Sequence, residues 1–268
     1  MSLTEPLWQN PSAQVSSRVY VRYLALAEQR AMDGEKGLAG TFVFCGLLDA
    51  YGRESVMAAN IAGAASLVLS GDAQVQRQAI RDGVLDFAVN SLDEGLRILK
   101  NEIRKQQAVS VGVDGDVQAN LTEMLERGVQ PVLLASSALT AEIYANVHRE
   151  LERRGAAPVK AGVRHESEML WWSVQEASAL WLPKLDQLAA SILPESDRLR
   201  RRWLRLSARN LPRRNREVRF LTVTEREAAD FAEAVEQAVQ AGTISVRVNL
   251  FLMSAKKSRA LHFAPAES

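Results

Sequence analysis

Between residues 41 and 137, short apolar runs alternate with amphipathic helical patterns across connections of only a few residues. No other feature constrains the chain as much. The strand-like runs are Thr41–Cys45, Ser66–Leu69, Leu85–Val89, Val109–Val113 and Pro131–Ala135. Between them lie helical stretches near 50–62 and 73–82, around Leu92, Leu96, Leu99 and Ile103, and around Val117, Leu121, Met124 and Leu125. Parallel strands need a crossover, usually a helix, so this order predicts an α/β fold: a doubly wound parallel sheet with helices on both faces. Ligands of such sheets sit beyond the carboxyl ends of the strands. That rim holds Gly46, Asp49, Ser70, Asp72, Asp114, Asp116, Ser136 and Ser137.

The segment after the first strand is where such folds place glycines that let backbone approach a pyrophosphate. Here it reads Gly46-Leu47-Leu48-Asp49-Ala50-Tyr51-Gly52-Arg53-Glu54-Ser55. A helix N-terminus attracts anions through its free amides and its dipole. Asp49, as the cap of the helix that follows, places its own carboxylate there. Tyr51 and Arg53 add bulk where glycine gives close contact. The scaffold is legible, and the expectation is that no cofactor is held.

The other candidates are weighed against plainer roles. Asp49, Asp72, Asp114 and Asp116 could gather around Mg2+, but Asp is a favoured N-cap, so helix capping is expected and no metal site is assigned. Asp72 follows the second strand, where an acidic residue can hold a ribose hydroxyl. Cys45, the one cysteine, has no histidine near it in sequence and reads as a small buried apolar residue. His165-Glu166-Ser167-Glu168 lacks the second histidine of a zinc helix. His148 and His262 carry no motif, and no catalytic residue is assigned.

The composition is that of an ordinary globular chain: 268 residues, 47% hydrophobic and 24% charged, with a net charge of +1. Such a balance gives no general attraction to nucleic acid or membrane. A single cysteine, no basic-then-apolar leader and no long apolar run predict a cytoplasmic protein without a membrane span. Residues 1–16 are expected to form a flexible arm and residues 17–157 the α/β domain. Residues 158–268 form a C-terminal α/β extension, helical plus a βαβ-like unit, open to continuing the same sheet. From residue 161 onward, 17 Lys/Arg face 13 Asp/Glu, a net of +4. Arg198–Arg219 holds ten arginines around Trp203, either the solvated face of a helix or a surface for nucleic acid or an acidic partner. Glu217–Val223, a helix capped by Thr224 and Glu227, and Thr243–Met253 make the βαβ-like unit. The last of these alternates cleanly, as a strand near a sheet edge does. The tail 255–268 reads as loose. Trp171, Trp172 and Trp181 read as core or interface residues.

Several segments resemble one family in the right order. Leu38-Ala39-Gly40-Thr41-Phe42-Val43, Ala62-Gly63-Ala64-Ala65-Ser66-Leu67, Ser91-Leu92-Asp93-Glu94-Gly95-Leu96, Ala108-Val109-Ser110-Val111-Gly112 and Leu121 through Pro131 are similar to the central domain of urocanase (urocanate hydratase). The likeness spans about residues 20–155. It implies a Rossmann-like domain that holds NAD+, whose nicotinamide serves as an electrophile in the hydration of urocanate, and it implies a homodimer. The family's loop G-L-G-G-M-G-G-A-Q matches here only at Gly46 and Gly52. Its acidic residue after the second strand falls on Ser70, with Asp72 nearby. Its S-I-G-L-x-G-N-A-A motif becomes Ser110-Val111-Gly112-Val113-Asp114-Gly115-Asp116-Val117-Gln118, and the His and Asp of its TDQTSAHDP segment are gone from Ala135–Ala141. A retained nucleotide or NAD-type ligand would use Gly46, Gly52, Asp72, Gly112 and Gly115. The flanking catalytic domain has no counterpart in this sequence. The leading expectation is therefore a urocanase-like module that has lost hydratase activity and binds an unknown small molecule or regulates. The alternatives are a nucleotide-binding enzyme or sensor, with hydratase or lyase chemistry if an enzyme, and a basic interaction protein.

Overall fold

A computed structural model describes residues 10–30, 32, 36–136, 142–160, 168–254 and 257–265. The chain divides into two compact units, Val21–Gly162 and Met1–Tyr20 with Val163–Ser268.

The first unit is built on β1 (Phe42–Leu47), α2 (Ala50–Ala62), β2 (Ala65–Ser70), α3 (Ala73–Arg81), β3 (Phe87–Val89), α4 (Leu92–Lys105), β4 (Val109–Asp114), α5 (Val117–Glu126), β5 (Leu133–Leu134), α6 (Glu142–Arg153) and β6 (Ala157–Pro158). Helix α1 (Pro11–Gln29) precedes them. The strands form one parallel sheet in the order β3-β4-β2-β1-β5-β6, the Rossmann-like arrangement that the alternation predicts. β2 is buried throughout, and β1 and β4 are buried except at their last residue. Strands covered on both faces should look so. Phe42, Phe44, Leu67, Leu69, Val111 and Val113 share one face and pack with Leu96 and Leu99 of α4, Leu121 and Met124 of α5, and Val147 and Leu151 of α6. On the opposite face, Asn60 of α2 donates to Ser110 Oγ, and the Asp86 carboxylate accepts from the Ser110 amide and hydroxyl at 2.8 Å each.

The order of strands reverses direction at β1: β2 lies on one side and β5 on the other. A crevice is expected above such a switch point. β1 is also irregular there. Phe44 pairs with Leu67 and Leu47 with Leu69, so β1 carries one extra residue at this point. Gly46, at φ 74°, takes up the bulge.

The second unit differs from expectation. Its strands do not extend the first sheet; they make a sheet of their own, ordered β10-β9-β7-β8. These are β7 (Glu168–Val174), β8 (Val218–Val223), β9 (Val248–Met253) and β10 (Ser258–Phe263), with α7 (Ser178–Ile192), α8 (Arg198–Asn210) and α9 (Glu225–Gln240). β8 and β9 are both antiparallel to β7 and flank it. The β8-α9-β9 crossover thus straddles a strand that the sequence pattern did not reveal. Thr243–Met253 is strand only from Val248, and β9 is an inner strand because the supposed tail supplies β10 as its neighbour. The arm is also shorter than expected, since α1 starts at Pro11 and buries Ala13 and Ser16. Trp171 packs with Phe220 and Phe251 on one face of this sheet, where Tyr20 packs edge-on against Phe220 and Trp203. On the other face Trp172 meets Phe231 and donates to Asp186. The tryptophans at 171 and 172 are core, as their plainer reading holds. Among the described residues no helix is long and apolar enough to cross a membrane.

Candidate functional site

Helix α2 begins as the sequence predicts. Asp49 caps it, and its Oδ1 accepts the Gly52 amide at 2.8 Å. The carboxylate therefore occupies an amide of the helix's first turn. Gly52 is fixed by packing rather than by ligand access: a Cβ there would lie 1.7 Å from the Leu47 carbonyl oxygen and 3.2 Å from that of Cys45. This is the close helix-to-strand approach for which the last glycine of a dinucleotide fingerprint serves. The neighbouring side chains are committed elsewhere. The Arg22 guanidinium stacks on the Tyr51 ring at 3.4 Å and pairs with buried Glu54 at 2.9 Å. Arg53 pairs with Asp82.

Two other rim carboxylates are likewise occupied. Asp72 accepts from the amides of Gln74 and Val75, and Asp116 from that of Ala119. Asp114 departs from the capping expectation; its backbone carbonyl accepts from Asn120 instead. Among the described residues no group of three or more His, Cys, Asp or Glu side chains could hold a metal ion. Cys45 is fully buried, and burial pushes its thiol far above the ordinary range, so it stays an un-ionised apolar group.

What the rim does offer is a cavity of about 530 Å³ above the β1/β5 switch point. Phe44, Leu69, Leu121, Leu134, Val147 and Val159 give it an apolar floor and walls. Gly46, Tyr51, Ser136, Tyr144, His148, Glu152 and Lys160 also line it. Burial, and then the Asp116 carboxylate, push the Tyr144 hydroxyl above its ordinary pKa, so it remains a neutral donor. Ser136 Oγ lies 2.7 Å from His148 Nε2, and His148 Nδ1 lies 3.0 Å from Glu152 Oε1. His148 and Glu152 stand one turn apart on α6, while Ser136 follows β5. Gly46 abuts the serine: a Cβ at 46 would come within 2.6 Å of Ser136 Cβ.

Of the residues that sequence reasoning assigned to a nucleotide site, Gly46 lines this cavity; Gly52, Asp72, Gly112 and Gly115 do not. Gly112 instead makes room for Leu85, whose Cδ1 would lie 2.6 Å from an added Cβ. Ser136 was visible as a rim residue. His148 was not, because its link to Ser136 exists only once α6 folds back over β5. Ser137 and His165 lie outside the described residues.

The arginine-rich segment is tied inward more than a solvated face would be. Arg200 reaches Asp197, the Thr222 carbonyl and both oxygens of Glu227. Arg201 donates to the carbonyls of Leu193 and Pro194, and Arg216 to those of Leu211 and Arg209. Arg219, almost fully buried, pairs with Asp186 at 2.9 Å.

Strands β1 to β5 and the cap at Asp49 fall within one stretch. Residues 19–145 match the family model described as the urocanase Rossmann-like domain, and this part of the chain carries that domain.

Proposed function

We propose that this protein is a small-molecule binding module built on a urocanase Rossmann-like domain, without urocanate hydratase activity and without a bound dinucleotide. The observation that carries the reading is the Asp49 carboxylate on the Gly52 amide. A phosphate brought within about 4 Å of that carboxylate is repelled by about 4 kcal/mol at an effective dielectric near 20. That is roughly a thousandfold in affinity. NAD+ does not fit this loop. The ligand space is the cavity at β1/β5, whose volume suits a small organic molecule. Its mostly apolar lining, with Ser136, Tyr144, His148 and Lys160 as polar groups, favours a ligand with an apolar body and one hydrogen-bonding end.

Equilibrium dialysis of the full chain with NAD+ tests the first half; the expected result is no saturation below millimolar concentration, and low-micromolar binding overturns it. For the second half, the probe is 1-anilinonaphthalene-8-sulfonate. Its fluorescence should rise with the native protein and not with Ala145→Trp, which fills the cavity from α6. Equal fluorescence from both proteins overturns the assignment of the cavity.

A further inference from the structure

We propose that Ser136 is an acyl-accepting nucleophile, that His148 is its general base, and that the cavity takes a carboxylic ester with a compact apolar acyl group. The inference rests on the cavity being the ligand site. Its own support is the connectivity of the three side chains. The Glu152 carboxylate accepts from His148 Nδ1, which fixes the proton on that nitrogen and leaves Nε2 with a lone pair. Nε2 then accepts the Ser136 hydroxyl proton across 2.7 Å. A serine needs this arrangement to attack, since its hydroxyl is a weak nucleophile at its free pKa. The same order of roles recurs on unrelated folds and is recognised by geometry. All three groups line the cavity, beside an apolar wall that includes Phe44, Leu134 and Val159.

The chemistry is balanced without a cofactor. Ser136 Oγ bonds to the ester carbonyl carbon while its proton passes to His148 Nε2. The bond from that carbon to the alcohol oxygen breaks, and the alcohol leaves with the proton from His148. Water then gives a proton to Nε2 and attacks the acyl-serine. The carboxylic acid departs, and the proton returns to Ser136 Oγ. The sum is ester plus water to acid plus alcohol. Glu152 touches only the imidazole and is a positioning residue.

The test uses the full chain with p-nitrophenyl butyrate and with a fluorophosphonate probe, read by p-nitrophenol release and by intact and peptide mass. The native protein should turn over the ester above the buffer rate and carry one phosphonyl adduct on Ser136. Ser136→Ala should abolish both. His148→Ala should lower turnover by a factor of about 10² to 10⁴. Glu152→Gln should lower kcat roughly tenfold with KM unchanged, which a purely structural role would not do. Circular dichroism melting of each variant separates lost chemistry from lost fold. Turnover that survives Ser136→Ala overturns the proposal, as does the absence of adduct and turnover in a native protein that still lights up the naphthalene dye. Absence of dye binding as well overturns the cavity reading beneath it.

Discussion

Individual residues show which local rules this chain keeps and for what reason. Gly52 survives from a dinucleotide-type loop because backbone packs on backbone there, not because a phosphate must pass. A Cβ at 52 meets the Leu47 carbonyl carbon and oxygen at 2.8 and 1.7 Å, atoms that cannot swing aside. Gly52→Ala must push α2 off β1, and it should destabilise the protein by at least about 3 kcal/mol, at the upper end of overpacking costs. Asp49→Ala loses only a cap and should cost about 1 kcal/mol. Urea unfolding of both variants checks the contrast; similar losses would mean that Gly52 is not wedged as described. The roles of Asp49, Asp72 and Asp116 were legible in the sequence because an N-cap acts over two or three residues. The Ser136–His148 pair was not, since nothing local links two residues 12 apart on different elements. Ser207 offers a further check at this scale. Its hydroxyl is buried inside α8 without a hydrogen-bond partner among the described residues. Ser207→Ala should raise stability by about 1 kcal/mol, because it removes an unmet polar group and improves helix propensity; a lower urea midpoint would contradict this.

Among elements, α9 joins sequence to tertiary structure most directly. Thr224 and Glu227 form the capping box that the sequence announced. The structure adds Arg200 of α8, which grips both oxygens of Glu227 at 2.6 and 2.8 Å. Burial pushes the Glu227 carboxyl up, but hydrogen bonds from Arg200 and Thr224 outweigh it and leave the pKa below its ordinary value. The folded state therefore favours the ionised form. Its contribution is fully present above the ordinary glutamate pKa and is lost as pH falls through the lowered folded value. Glu227→Gln should cost about 1.5–3 kcal/mol at pH 7, as expected for hydrogen bonds to a charged group. It should cost less as pH falls into that range, which urea unfolding at pH 7 and pH 3 would measure. An equal loss at both values would mean that shape, not charge, holds α8 to α9. The arginines looked like a solvated face because sequence periodicity cannot tell an exposed cation from one turned onto a carbonyl. β7 was missed for a related reason: Met169–Val174 is a short apolar run buried at its centre, and such runs lack the alternation that marks a half-buried strand.

At the scale of the whole molecule, the parallel sheet was legible and the antiparallel one was not, and the difference lies in how each is wired. In the first unit every crossover is short, so the alternation of strand and helix fixes the parallel sense of the sheet. In the second, β7 pairs with β8 about fifty residues on and with β9 about eighty residues on, and no local signal carries that order. The two sheets make a prediction about where backbone stays closed. Amides of strands with two partners exchange slowly, and those on edges exchange fast. Native-state hydrogen exchange should therefore find two islands of protection. One covers β1, β2 and β4, which are almost wholly buried. The other covers β7 and β9, paired on both sides. The edges β3 and β10 should exchange early; Phe87 and Ala88 of β3 and most of β10 face solvent. If β7 exchanged as fast as β10, the second sheet would not be organised around Trp171 and Trp172. If β10 were as protected as β9, another strand or chain would have to cover its outer edge.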